Sequence, residues 1–175
     1  AYVDATEQGL QPKVACRVAT TAALPAHAFG ANIMLANVNG ALPAIDGVTL
    51  QVGDRVLVKN EGSGTHLENG IYTVTALGDA SNKWSFTRAG DADTSGEVTT
   101  GMYVLISEGT TWKGSGWFLQ TAAPITLNTT ALTRLAAAVA PRFVQSGTGA
   151  IVNIGSVVGF APEFGMTVYG ATKAF

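Results

Sequence analysis

Short apolar runs separated by tight-turn signals fill the chain up to about residue 127. Val14, Cys16 and Val18 alternate with other residues, which is the period of a half-buried strand within residues 12–21. Runs rich in β-branched and aromatic residues predict further strands at 55–59, 70–77, 84–89, 102–107 and 116–120. Turn dipeptides bound several of them, namely Asp46-Gly47, Gly53-Asp54 and Asn69-Gly70. The spacing predicts a compact antiparallel β domain.

Residues 22–44 lack this regular pattern. Pro25, Gly30, Gly40 and Pro43 interrupt the segment, and such punctuation predicts a loop. Inside it, residues 33–35 (Ile-Met-Leu) form a short apolar anchor that we expect to be buried.

The period changes from that of a strand to that of a helix near residue 130. Apolar side chains then recur three or four positions apart, at Leu132, Leu135, Ala136, Val139 and Phe143. This predicts an amphipathic helix over residues 130–145. A β-branched strand follows at 150–154, and a second helix begins at residue 169. The predicted fold class is mainly β with a C-terminal helix–strand–helix α/β extension, and the predicted domains are 1–127 and 128–175.

Composition and charge exclude several classes of function. Hydrophobic residues make up 47% of the chain and charged residues 13%, as expected of a folded globular protein. A net charge of −2 gives no electrostatic footprint for nucleic acid. The single cysteine, Cys16, excludes an internal disulfide and a cysteine-based zinc site. We recognise no signal peptide or membrane span, which leaves a virion-associated and a cytoplasmic location open.

The candidate chemistry is concentrated near the C-terminus. Tyr169 and Lys173 are spaced by about one helical turn, so they would share one face of the second helix. A lysine ammonium beside a phenol favours the phenolate and thereby suits the tyrosine to proton transfer. Ser156, after the 150–154 strand, would orient a carbonyl group for that tyrosine. The bare Tyr-x-x-x-Lys spacing is also common on helices with no catalytic role.

Residues 127–175 resemble the central segment of a short-chain dehydrogenase/reductase. The resemblance rests on an Asn before a helix, a helix containing Pro-Arg-Phe, a strand with Asn-x-x-Ser and the Tyr-x-x-x-Lys pair. It implies that Asn128, Ser156, Tyr169 and Lys173 form the catalytic tetrad of that family, and that NAD(P) is the cofactor for carbonyl reduction. The Gly-rich phosphate-binding turn that such a cofactor needs has no good counterpart, because Gly62 and Gly64 lie between two predicted strands.

Residues 9–133 resemble a β-rich domain of bacteriophage tail and tail-fibre proteins. The ordered motifs VGDRVLVK, ENGIY, TRAGDADT, GMYV and GWFL carry this resemblance. It implies a structural or adhesive role and a homo-oligomeric assembly. The segment LNTTALT at 127–133 fits both families, so we interpret the chain as a fusion whose join lies there.

Weaker candidates lie outside these motifs. Alternating oxygen-bearing side chains at Asp91, Asp93, Ser95 and Glu97 resemble the opening of a calcium loop, although turn chemistry explains them equally well. Ser156 acting as the nucleophile of a cofactor-free ester or lactone hydrolase is a further alternative.

The remaining histidines and tryptophans have simpler interpretations. We expect His27 and His66 to be exposed and free of metal, because neither has a partner at ligand spacing. We expect Trp84 and Trp117 in the core and Trp112 on the surface, where it offers a stacking platform for a glycan. The leading hypothesis is a self-associating structural or adhesive module that carries a non-functional or repurposed dehydrogenase fragment, and the competing class is an enzyme.

Overall fold

Ten strands in two sheets make up the part of the chain that the computed structural model describes, which is residues 11–62, 66–130 and 132 and the backbone of 135–138. The strands are β1 (Gln11–Pro12), β2 (Val18–Ala19), β3 (His27–Gly30), β4 (Ile33–Ala36), β5 (Arg55–Val58), β6 (Gly70–Leu77), β7 (Trp84–Arg88), β8 (Met102–Leu105), β9 (Gly116–Leu119) and β10 (Leu135–Ala138). The predicted mainly β class is confirmed. The described residues contain no helix that is long and apolar enough to cross a bilayer.

The larger sheet has the strand order β2-β5-β6-β7-β4-β3, and the smaller has the order β1-β8-β9-β10. Neighbouring strands are antiparallel except at two edges, where β2 runs parallel to β5 and β1 runs parallel to β8. The segment from β1 to β2 therefore belongs to both sheets, and a single bridge from Cys16 to Ile106 lies between the two pairings. The first strand predicted from the alternation at residues 12–21 is thus split. Val14 is 65% exposed, whereas Cys16 and Val18 are fully buried.

The turn dipeptides form the turns that their chemistry predicts. Asp46 and Gly47 both have positive φ, at 49° and 79°, and Ile45 and Val48 exchange two backbone hydrogen bonds across them. Both features identify the two-residue hairpin turn that Asp-Gly favours. Gly53 has a φ of 94° in the turn before β5, and Gly70 begins β6 with a φ of 151°. These turns fix the start of the β5–β6 pairing, in which Val56 lies opposite Tyr72.

Two hydrophobic cores lie on opposite faces of the larger sheet. One face of β5 and β6 contributes Leu57 and Ile71 to a core shared with the smaller sheet. That core also contains apolar side chains of β8 and β9 and of the loops around them, including Met102, Val104, Trp117 and Leu119. The other face forms a second core from residues of five strands and the 42–50 loop, including Val56, Val58, Tyr72, Met34 and Phe86.

Residues 22–44 contain a hairpin where a loop was predicted. Strand β3 pairs with β4, and β4 pairs with β7, so this hairpin extends the larger sheet. Ala31 and Asn32 have positive φ values of 49° and 66°, which form a two-residue turn without glycine. Of the expected buried anchor, Met34 is fully buried, but Ile33 and Leu35 are 41% and 42% exposed. Their exposure follows from the two-residue period of a strand.

The helix predicted over residues 130–145 is wrong where it can be compared with the structure. Leu135–Ala138 is strand β10, and it pairs antiparallel with β9 so that Leu135 lies opposite Leu119. The pairing covers an edge of β9 that would otherwise present unpaired backbone groups. Such pairing outweighs the helical preference of an Ala-rich segment. The remainder of this helix, the 150–154 strand and the helix at 169 lie outside the described residues.

The chain divides into compact units Ala1–Ala138 and Val139–Phe175, and β10 belongs to the first. The domain boundary predicted at 127/128 lies where the resemblance to the phage domain gives way to the resemblance to the dehydrogenase, and it stays a prediction.

A pair of truncations measures the contribution of β10. A chain ending at Ala138 retains the strand, whereas a chain ending at Arg134 lacks it. We expect the shorter chain to melt several degrees lower, because each lost backbone hydrogen bond contributes about 1 kcal/mol and the edge of β9 becomes exposed. Thermal unfolding followed by circular dichroism measures the difference, and equal melting temperatures would contradict the assigned pairing.

Candidate functional site

Asn128 is the one member of the predicted tetrad that lies within the described residues. It occupies a turn with a φ of 63° and does not begin a helix. Its Nδ2 donates to Asn32 Oδ1 at 3.1 Å, and Arg88 Nη2 lies 3.5 Å from its Oδ1. Ser156, Tyr169 and Lys173 lie outside the described residues, so their convergence with Asn128 stays a prediction.

Arg88, beside Asn128, organises the polar interior of this region. Its guanidinium donates to the carbonyls of Asn69 at 3.0 Å and Leu67 at 2.8 Å. The same group lies over the ring of Tyr72, 5.0 Å from its centroid. Burial lowers the pKa of Arg88, and it raises the pKa of the Tyr72 phenol further from neutral pH. The contacts of Asn128 thus belong to a network that holds loops together.

Side chains of the acidic loop at 91–97 form hydrogen bonds within the loop and to neighbouring segments. Both carboxylate oxygens of Asp91 accept from Arg55 Nη2, at 2.9 and 3.0 Å. Glu97 Oε2 accepts from the backbone nitrogen and the hydroxyl of Thr94, and the hydroxyl bond holds the pKa of Glu97 below its usual value. The hydroxyl of Ser95 accepts from the backbone of Leu127 at 3.1 Å.

Asp93 contributes its backbone carbonyl, which accepts from Asn32 Nδ2 at 3.0 Å. Binding of calcium by Asp91, Asp93, Ser95 and Glu97 stays a prediction, and any ion would compete with these internal partners.

The expectation that His27 is exposed is wrong. Its side chain is 6% exposed and lies against two carboxylates, Glu68 at 3.0 Å and Glu61 at 4.0 Å from Nε2. His66 is partly buried, and its Nδ1 lies 2.9 Å from the Glu61 carbonyl. The structure therefore brings together a cluster of His27, Glu61 and Glu68 that sequence reasoning missed. No local signal marks it, because His27 reaches the carboxylates only through the pairing of β3, β4 and β7 with β6.

The tryptophans are more buried than a glycan platform requires. Trp84 and Trp117 lie in the cores as predicted, with 3% and 6% of their surface exposed. Trp112 is half-buried rather than exposed, and its ring meets that of Trp117 edge-on at a centroid distance of 4.9 Å. Lys59 Nζ lies over both rings, 4.7 Å and 4.8 Å from their centroids, and burial lowers its pKa. The exposed flat surface for a sugar is correspondingly small.

The described residues do not fit the phosphate-binding turn of a nicotinamide cofactor. Gly62 has a φ of 76° and lies in the loop between β5 and β6, so a strand follows it rather than a helix. A dinucleotide pyrophosphate is normally received by the N-terminus of the helix that follows such a turn.

Comparison with known proteins bears on the C-terminal part of the chain. The family model described as short chain dehydrogenase matches residues 119–175, about a third of the chain. The C-terminal segment is therefore similar to that family, whose use of NAD(P) agrees with the conditional cofactor prediction. No curated protein and no solved structure matches the chain at a significant level. The match begins at Leu119, the last residue of β9, and includes the whole of β10.

Two substitutions at Asn128 test whether its backbone conformation and side-chain contacts stabilise the fold. An alanine at this position would adopt the left-handed φ only with strain and would lose both side-chain contacts. We expect Asn128→Ala to lower the free energy of unfolding by about 1–2 kcal/mol. Asn128→Gly should cost less, because glycine adopts this φ without strain. Chemical denaturation measures both values, and an alanine variant as stable as the wild type would contradict the structural role.

Proposed function

We propose that this protein is a structural module of the bacteriophage-tail type that associates with copies of itself, and that its dehydrogenase-like segment does not act as a reductase. The observation that carries the proposal is the use of residues 135–138 as strand β10. In the dehydrogenase resemblance these residues continue the helix that Asn128 begins. Here the same residues complete a sheet, which supports a structural use of the segment.

Polar groups that hold the loops of the β unit together support a structural role as well. The carboxylate of Asp46, 7% exposed, accepts from the backbone nitrogens of Thr111 and Trp112. Arg17 joins the unit's loops by ion pairs to Asp54 at 2.6 Å and Glu108 at 3.1 Å. These groups hold turns in place, as a rigid module requires.

An exposed apolar surface at the β3–β4 hairpin supports self-association. Ile33 and Leu35 point away from the second core on the same face of β4, and both are more than two-fifths exposed. Strand β3 ends the order of the larger sheet, so its outer edge has no strand partner among the described residues. An apolar strand face next to an open edge is suited to pairing with a second copy of the chain.

The competing proposal is a carbonyl reductase that uses Asn128, Ser156, Tyr169 and Lys173 with NAD(P). The family match over residues 119–175 favours it. The turn conformation of Asn128 and the strand at 135–138 disfavour it, because both depart from the helix that the family places there.

Light scattering coupled to size-exclusion chromatography tests the self-association. We expect a mass that is a multiple of the 17.9 kDa chain. Ile33→Lys and Leu35→Lys should shift the mass toward the monomer, because a lysine would be desolvated in the interface. Val52→Lys is the matched control, since Val52 is 63% exposed in a turn away from this hairpin. A monomer at every concentration would refute the proposal.

Titration with NADH and NADPH tests the reductase alternative separately. We expect no saturable fluorescence change and no thermal shift up to millimolar cofactor, because the described glycines do not precede a helix. Saturable binding that is lost in Tyr169→Phe or Lys173→Ala would overturn the structural assignment of the C-terminal segment. The titration is informative whatever the oligomeric state.

A further inference from the structure

Three residues from two segments, the start of β3 and the loop between β5 and β6, converge at the base of the β3–β4 hairpin. His27 begins β3, Glu61 follows β5, and Glu68 precedes β6. One ligand atom from each lies within 4.8 Å of those from the other two. His27 Nε2 is 3.0 Å from Glu68 Oε2 and 4.0 Å from Glu61 Oε2.

The orientation of the imidazole is set by its other nitrogen. His27 Nδ1 lies 2.8 Å from the carbonyl oxygen of Pro25, which can only accept, so Nδ1 carries a proton. In the neutral ring Nε2 then has a free lone pair, and it faces the two carboxylates. Three electron-pair donors thus point at one another, and either a proton or a metal ion must lie between them. A ring nitrogen that donates to a backbone carbonyl while its partner nitrogen is free is the arrangement of metal-ligating histidines.

The surroundings hold these groups in place before any ion binds. Glu61 Oε1 accepts from the backbone nitrogen of Leu24 at 2.6 Å, which leaves Oε2 directed towards His27. The backbone nitrogen of Glu61 donates to the buried amide oxygen of Asn69 at 2.9 Å. The ring of Trp84 packs against the imidazole with a centroid distance of 5.7 Å.

The two carboxylates of the cluster lack a direct ion pair with a lysine or an arginine. Within the described residues, neither Glu61 nor Glu68 forms one. Arg88 interacts electrostatically with Glu68, but its Nη1 and Nη2 donate to backbone carbonyls. The side chain of Glu61 is only 5% exposed. A buried carboxylate in this position needs either a proton or an ion.

We propose that His27, Glu61 and Glu68 form a binding site for a divalent transition-metal ion, with Zn²⁺ as the best fit. Bonds of about 2.0–2.2 Å at tetrahedral angles place ligand atoms about 3.4 Å apart. The distances of 3.0 and 4.0 Å from Nε2 bracket this value, so small side-chain rotations complete the site. Ca²⁺ and Mg²⁺ fit less well, because they prefer ligands that are all oxygen.

The ion would tie the edge hairpin to the loop between β5 and β6. One nitrogen and two carboxylate ligands leave a fourth position for water. Glu68 is 32% exposed at its side chain, which gives the ion a path from solvent. The inference stands apart from the proposed self-association, since it depends on none of the exposed residues of β4.

Calorimetric titration of the full chain, freed of metal with EDTA, tests the site with ZnCl₂. We expect one ion per chain, a dissociation constant of about 1 µM or tighter, and a higher melting temperature that EDTA reverses. Co²⁺ in place of Zn²⁺ should give the visible absorption of a tetrahedral complex.

Single substitutions assign the ligands. Glu61→Gln and Glu68→Gln keep the side-chain shape, and each should weaken binding at least about 100-fold, because loss of a group that merely orients a ligand already costs about 10–100-fold. His27→Ala should abolish the Co²⁺ spectrum. If that variant fails to fold, the loss of Zn²⁺ binding in Glu68→Gln tests the site instead, because the Glu68 side chain is 32% exposed. Glu108→Gln, a partly exposed carboxylate outside the cluster, is the matched control and should bind as the wild type does.

Two results would overturn the proposal. The first is the absence of stoichiometric Zn²⁺ binding to the wild type, which would leave an imidazolium–carboxylate ion pair as the account of the cluster. The second is binding that persists in all three cluster variants, which would place the ion elsewhere.

Discussion

The central strand pair β5–β6 is buried on both faces, and the arrangement of the other strands depends on it. Val56, Val58, Tyr72 and Val74 enter one core, whereas Leu57 and Ile71 enter the other. A shift of register by one residue would exchange these sets and disrupt both cores at once. The register is held by the turns before each strand, where Gly53 and Gly70 adopt positive φ. The loop between the two strands carries Glu61 and Glu68, so the same pairing also positions both carboxylates of the proposed metal site.

Turn chemistry made the central part of the fold predictable from sequence. Strands β6 and β7 lie where the patterns at 70–77 and 84–89 placed them, because Asn-Gly and Gly-Asp signals bound runs of strongly β-forming residues. The β3–β4 hairpin was missed, since its turn at Ala31-Asn32 has no glycine and its strands are only four residues long. Short strands are fixed by pairing with their neighbours, and here β4 depends on β7.

The segment 135–138 shows why the spacing of apolar residues alone cannot decide between a helix and a strand. Leucine and alanine favour a helix in isolation, by a few tenths of a kcal/mol per residue. An open edge of β9 offers backbone hydrogen bonds worth about 1 kcal/mol each, so four residues of pairing outweigh the local preference. The family match over 119–175 and the strand at 135–138 are therefore compatible, because similarity of sequence does not guarantee the same secondary structure next to a different neighbour. In this chain, residues 135–138 do not form the helix that the dehydrogenase resemblance implies after Asn128.

The cluster of His27, Glu61 and Glu68 could not be inferred from spacing, since His27 is far from both carboxylates in sequence. Its members are brought together by four antiparallel pairings in succession, from β5 through β6, β7 and β4 to β3. Isolated histidines in loops are usually solvated, and that expectation fails here because the hairpin carries His27 against the ring of Trp84. Once the imidazole donates to the Pro25 carbonyl, the lone pair of its second nitrogen faces two carboxylates, so the three groups require either a proton or a metal ion between them. This requirement arises from tertiary structure. The charge balance of the cluster therefore identifies the site better than any sequence motif in the chain does.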